Sequence, residues 1–256
     1  MNFAELTSGD LSLAFQRDVA VLLPTGSMEQ HGPHLPVGTD GLIAERLALA
    51  AAGRLADECV VLPTLWYGFS PHHMSFPGTV TVAAGTYLRL VAEIAESLYA
   101  HGVRRLVILN GHGGNSAPLK MIAAELARAH GKSPSVVTYW DLIAAEAGDF
   151  FEEPELVCGH ACALETSLAL HLFPEAVQRD LIPGRSGETG PHMFGRAGAA
   201  EGLDFRNYSS NGVIGDPSLA TADLGRRLFD LIVERLVRNL SPGSPGPVGP
   251  GQGETS

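Results

Sequence analysis

The chain is 256 residues long, and 45% of its residues are hydrophobic, enough to bury a substantial core. That composition excludes global disorder. A net charge of −11 and an isoelectric point near 5.3 argue against nucleic acid or anionic membrane as a partner.

In chain order, residues 1–17 read as a short N-terminal helix or arm, with Ser8, Gly9 and Asp10 as its cap. The apolar run Val19 to Pro24 reads as a buried strand, and an irregular loop follows it to Asp40. Leu42, Ile43, Leu47, Leu49 and Leu55, set among alanines, predict a helix over Asp40 to Glu58. Cys59 to Pro63 predicts a short strand. The stretch SPHHMSFPGTVTV is too irregular for a periodic element and is expected to be a structured loop at a cavity wall. Thr86 to His101 has the spacing of an amphipathic helix.

Arg104 to Leu109 is the clearest strand, and it runs into Gly111-His112-Gly113-Gly114-Asn115. A helix over Ser116 to His130, a strand over Ser133 to Tyr139 and a helix through Glu165 to about His171 complete the alternation. This pattern predicts an α/β fold with a mainly parallel sheet. Arg185 to Pro217 reads as long loops, and Ala220 to Leu240 as a closing helix. The stretch SPGSPGPVGPGQGETS has no apolar face to bury, so one domain over 1–240 and a disordered tail over 241–256 are expected.

No stretch approaches the about eighteen apolar residues of a membrane span. The first fifteen residues lack a basic-then-apolar leader pattern, so no signal peptide is expected. Cys158 and Cys162 have no second pair to make a zinc knuckle, and the three cysteines fit free or buried thiols in a reducing cytoplasm.

The chemistry concentrates in three places. Gly26 to Asp40, GSMEQHGPHLPVGTD, brings Glu29, His31 and Asp40 together, a donor set suited to Zn²⁺, Mn²⁺ or Fe²⁺. In an extended segment, Glu29 and His31 would face the same side. Asn110 to Asn115, NGHGGN, can be a phosphate loop, a turn presenting His112 as a ligand, or a tight turn only. It lacks GxGxxG spacing and a GK[ST] ending. His160 and Glu165 converge only if His160 lies in a loop and Glu165 on the first turn of a helix. Glu165 can also serve the helix dipole alone. His34, His72 and His73 read as pocket-wall residues.

Together, GSMEQHGPHLPVGTD, FPGTVTV, NGHGGN, YWDL and HACALETSLAL resemble, in order and spacing, the motifs of the creatininase (creatinine amidohydrolase) family. The resemblance runs from about residue 18 to about residue 240. It implies a three-layer α/β/α sandwich, two divalent metal ions per chain and a homohexamer. Matched residue by residue, it implies Glu29 and His112 on one metal, His31 on the other, and Asp40 bridging. His160 matches a catalytic-site histidine, and Trp140 a tryptophan near the substrate pocket, where His73 and Gly113 are also expected. Creatininase carries a ligating Glu where this chain has Gly114, a Tyr at Gly113, and a Trp-Asp pair at Leu156 and Val157. Glu165 resembles the acidic ligand of family branches with NGHGGN. The implied function is hydrolysis of a C–N bond in a small cyclic or formylated amide by a dinuclear-metal-activated hydroxide, with His160 moving the proton. The alternatives are a small modified peptide or an inosose-type ring as substrate, or a non-catalytic metal- or metabolite-binding module.

Overall fold

A computed structural model describes residues 1–186, 193–194 and 204–241. Four parallel strands form the central sheet: β1 (Ala20–Thr25), β2 (Cys59–Val61), β3 (Arg105–Asn110) and β4 (Ser135–Thr138). Their order is β2-β1-β3-β4. The chain therefore steps to one side of β1 and then to the other. The switch point between β1 and β3 is where open α/β sheets place their sites.

Helix α1 (Ser8–Gln16) begins on Thr7, whose side chain accepts from the Asp10 N–H while the Asp10 carboxylate accepts from the Thr7 N–H. Thr7, rather than Ser8, is thus the cap, in a reciprocal capping box. The long helices are α2 (Thr39–Arg54), α3 (Ala84–Ala100) and α4 (Ser116–His130). Two single turns, α5 (Ala147–Phe150) and α6 (Pro154–Val157), precede α7 (Ala163–Leu172), and α8 (Ala222–Leu240) closes the fold.

The strands are buried on both faces, which is why they read as unbroken apolar runs rather than alternating ones. Ala20 and Leu22 of β1, with Val107 and Leu109 of β3, face a core built from α2, α7 and α8. Val21 and Leu23, with Leu106 and Ile108, face a second core built from α3 and α4. The result is the three-layer α/β/α sandwich. Leu22 and Ile108 are fully buried, and truncating either to Ala would destabilise by about 2–5 kcal/mol. Leu228, Ile232, Leu236 and Leu240 recur every fourth residue on α8 and are all fully buried.

Two features were not legible as elements. Cys158–His160 (β5) pairs antiparallel with Ile214–Gly215 (β6) across a long sequence interval. The strand expected over Ser133 to Tyr139 stops at Thr138, and Tyr139–Glu146 forms 3-10 turns. The tail expected over 241–256 lies, apart from Ser241, outside the described residues, as does part of the 185–217 loop region. Among the described residues, no helix is long and apolar enough to cross a membrane.

Candidate metal centre

β1 and β3 end side by side, with Thr25 opposite Asn110. Both chain exits press onto the first turn of α2. A Cβ on Gly26 would lie 2.4 Å from the Gly41 nitrogen, and one on Gly111 would lie 2.6 Å from the Asp40 carbonyl oxygen. Glycine at these positions lets three backbones meet, which carries Asp40 to the mouth of both strands. Between Gly26 and Asp40 the chain doubles back. The Glu29 N–H donates to the Val37 carbonyl (2.9 Å) and the Leu35 N–H to the His31 carbonyl (3.3 Å).

Asp40 stands at the centre. Its Oδ1 lies 3.0 Å from Nε2 of His31, and its Oδ2 lies 3.2 Å from Nδ1 of His112. Nδ1 of His112 is also 3.1 Å from Oε2 of Glu29. Nε2 of His31 is 3.7 Å from Oε1 of Glu165. Two groups with metal-binding geometry result, Glu29–Asp40–His112 and His31–Asp40–Glu165, and a third joins Glu29, His31 and His160. The structure thus brings together all five residues expected as ligands, with His160 beside them.

The convergence of His160 and Glu165 has a local cause. His160 ends β5, Ala161 turns the chain with φ +51°, and Glu165 sits on the first turn of α7. Glu165 is thus on the first turn of its helix as the spacing required, whereas His160 lies on a short strand rather than in a loop, and the turn at Ala161 takes the place of that loop. Gly114 also has a physical reason. A Cβ there would meet the Phe69 carbonyl oxygen at 2.3 Å, His112 Nε2 at 2.4 Å and His72 at 2.8 Å. A glutamate at this position has no room, and Glu165 delivers the carboxylate from another direction.

The second ring nitrogens fix the orientation of the histidines. His31 Nδ1–H donates to the Glu29 carbonyl (3.2 Å), and His112 Nε2–H to the Phe69 carbonyl (3.1 Å). The other ring nitrogens therefore point at the carboxylates, the orientation from which they can hold a metal once they have lost their protons. His73 is fully buried, with Nε2 3.2 Å from Oε1 of Glu29. Its Nδ1 accepts from the Gln30 side-chain amide (2.9 Å). That amide is itself oriented by the Gly32 N–H on its oxygen (2.9 Å) and by its donation to the Gly212 carbonyl (3.1 Å).

Gln30 is the residue that sequence reasoning missed. In an extended strand it would point away from Glu29 and His31, but the bent loop turns it back into the cluster. Of the other pocket candidates, Gly113 lies on an exposed turn, with open space where a Cβ would be. Trp140 packs edge-on against Tyr139 (4.9 Å) in the core of α2, α7 and α8. Leu156 and Val157 fall on the single turn α6.

Buried charge demands compensation. Both carboxylate oxygens of Glu29, Oδ2 of Asp40, Oε2 of Glu165 and Nε2 of His31 are buried without a hydrogen-bond partner. Groups in that state destabilise a fold strongly unless a counter-charge meets them. In the metal-free chain, protons take that role. Burial opposes a charge on His31 and His112, but the facing carboxylates outweigh it, raising His31 well above its usual value and His112 to about 10. Burial works against ionised Asp40 too, yet His31 and His112 hold its carboxyl below the usual range. Burial raises Glu29 against the pull of His112. Burial and the charge on His31 hold His160 well below the usual histidine value. The orphaned atoms and the mixed imidazole–carboxylate donors both fit divalent cations of the Zn, Mn or Fe kind.

The sequence matches the profile of the creatininase family, creatinine amidohydrolase, over residues 4–240. This chain belongs to the creatininase family. It is 36% identical over 242 residues to a mycofactocin precursor peptide peptidase of Mycobacterium ulcerans, covering 90% of this chain and 88% of the relative. Identity to a creatinine amidohydrolase of Pseudomonas putida is 33% over 180 residues, covering 64% of this chain and 68% of the relative. Among solved structures, a manganese creatininase superposes with a TM-score of 0.82 at 26% identity, and a mutant creatininase of zinc–zinc type with 0.81 at 26%. The matches cover 95% of this chain and 98% of each of those chains. The scaffold is that of a metal-dependent hydrolase, and the donor cluster is a divalent metal site.

Proposed function

We propose that this protein is a metal-dependent hydrolase that cleaves a C–N amide bond in a small modified peptide. The carrying observation is Asp40, which presents one oxygen to each of two donor groups. In this reading Glu29, Asp40 and His112 hold one divalent ion, and His31, Asp40 and Glu165 hold the other. Such a pair, when bound, brings water to near-neutral pKa and polarises an amide carbonyl.

The chain's own residues supply positioning and proton transfer. His73 sets its Nε2 edge 3.2 Å from Glu29 Oε1 and so packs against the carboxylate on that side. His160 donates Nε2–H to the Gln30 carbonyl at 2.7 Å, leaving the Nδ1 lone pair facing Glu29. Kept neutral by burial and by His31, Nδ1 can take a proton and pass it to the departing amide nitrogen. A non-catalytic binding module would need no such group.

The cyclic or formylated amide expected from the sequence ranks second here. Similarity to the peptide peptidase covers more of the chain, at higher identity, than similarity to creatinine amidohydrolase. Residues 1–240 acting as one unit, two ions per chain and a homohexamer belong to the same proposal. Light scattering and elemental analysis read the last two.

The test incubates metal-loaded protein with short N- and C-terminally modified peptides, and in parallel with creatinine and formylated amides. Mass spectrometry should show metal-dependent cleavage of peptides and no turnover of creatinine. Faster turnover of creatinine or of a formyl amide, or no metal-dependent hydrolysis at all, overturns the proposal.

A further inference from the structure

Phe205, on the 3-10 turn Phe205–Asn207, belongs to none of the sequence motifs, yet it stands over the site. Its ring centroid lies 4.0 Å from that of His73, 5.3 Å from His72 and 5.0 Å from His160, the last edge-on at 83°. The donor residues are almost entirely buried, from 0% exposure at His31 to 3% at Glu165 and His112, while His160 is 7% exposed. His160 is thus the most exposed of these side chains, and Phe205, itself 6% exposed, packs beside it.

The turn is fastened from outside. The Ser75 hydroxyl donates to Asp204 (2.7 Å), and the Arg206 guanidinium donates to the Ser75 carbonyl (3.1 Å). The same guanidinium lies 4.4 Å over the Phe76 ring, so the neighbouring cation is turned outward and only the aromatic ring faces inward. A ring at that place favours contact with apolar or aromatic groups and leaves a carboxylate desolvated without a partner.

We propose that Phe205 is a specificity-determining residue: a substrate reaching the donor cluster sets an apolar or aromatic side chain against this ring, beside the amide to be cleaved. The inference rests on the peptide-hydrolase reading for the nature of the substrate, and on geometry for the role of the ring.

Calorimetric titration of the metal-loaded protein with phenylalanine, leucine and aspartate hydroxamates tests it without requiring turnover. The hydroxamate group chelates metal while the side chain varies. The phenylalanine and leucine probes should bind about tenfold or more tighter than the aspartate probe, the scale of one apolar side chain in a pocket. Phe205→Ala should shrink that preference to about threefold or less by weakening the apolar probes, and Phe205→Leu should keep it. Phe205→Gln, which keeps bulk and removes the apolar face, gives the same decision if Phe205→Ala fails to load metal. Equal binding of the three probes by the wild type, or a full preference retained in a metal-replete Phe205→Ala or Phe205→Gln protein, overturns the inference. A wild type that discriminates among the probes but cleaves no peptide removes the peptide reading and leaves the role of Phe205 standing.

Discussion

Glu165 places Oε1 3.7 Å from Nε2 of His31, although the two residues are 134 positions apart in the sequence. A helix-dipole role alone would be worth about 0.3–1 kcal/mol and would not need that contact. Glu165→Gln keeps size and most packing, so it separates the two roles. The variant should fold normally, lose about one tightly held ion per chain and drop in activity by about two orders of magnitude or more. Elemental analysis and turnover measured on the same sample decide it. Full metal content with near-normal turnover would falsify the ligand assignment.

Gly114 should tolerate no side chain. Its missing Cβ would strike the Phe69 backbone, which cannot swing aside as a flexible side chain would. Gly114→Ala should destabilise by about 1–3 kcal/mol, the usual range for overpacking. A thermal melt unchanged within a degree would show that the 66–82 loop yields more easily than its contacts imply.

Metal uptake should release protons. His31 and His112 carry raised pKa values in the metal-free chain, so both are protonated near neutral pH and must give up their protons to bind a cation. Titration in weak buffer at pH 7 should release about two protons per chain at saturation. Release of none would mean that the histidines are already neutral.

The same groups set a pH window for the metal-free protein. A histidine with a raised folded pKa contributes its full stability below its unfolded value of about 6.5. That stability is lost as pH rises toward the folded value of about 10 at His112. Asp40 has the opposite sign: its contribution is present above the unfolded value of about 3.9 and is lost as pH falls through its lowered folded value. The melting temperature of the metal-free protein should therefore fall between pH 7 and pH 10, and that of the metal-loaded protein should fall less. Parallel curves for the two forms would contradict the exchange of protons for cations.

Sequence patterns carried the scaffold well where structure is local. The apolar runs of β1 and β3 and the spacing of α4 are short-range signals, and α4 begins and ends where the spacing placed it. The donor cluster was legible because its residues sit in compact motifs with glycines at their flanks. What stayed hidden depends on chain reversal or on distance. Gln30 required the bend at residues 31–35, which no period reveals. The β5–β6 pairing required contact between segments more than fifty residues apart and the Phe205–His73 contact one across more than 130, and Phe205 has an ordinary neighbourhood in sequence.

The backbone contacts of Gly26, Gly41 and Gly111 have a consequence for how such a protein can change over time. Glu29, His31, Asp40 and His112 all hang from this one knot of main chain, so altering any of its glycines disturbs several donors together. Phe205 hangs from a separate segment that touches the knot's side chains through its own ring and through the Gly212 carbonyl. If Phe205 has the role proposed for it, replacing residues around position 205 would alter recognition and leave the donor cluster in place. On this scaffold the donor set and the ring beside it are carried by separate segments and can vary separately.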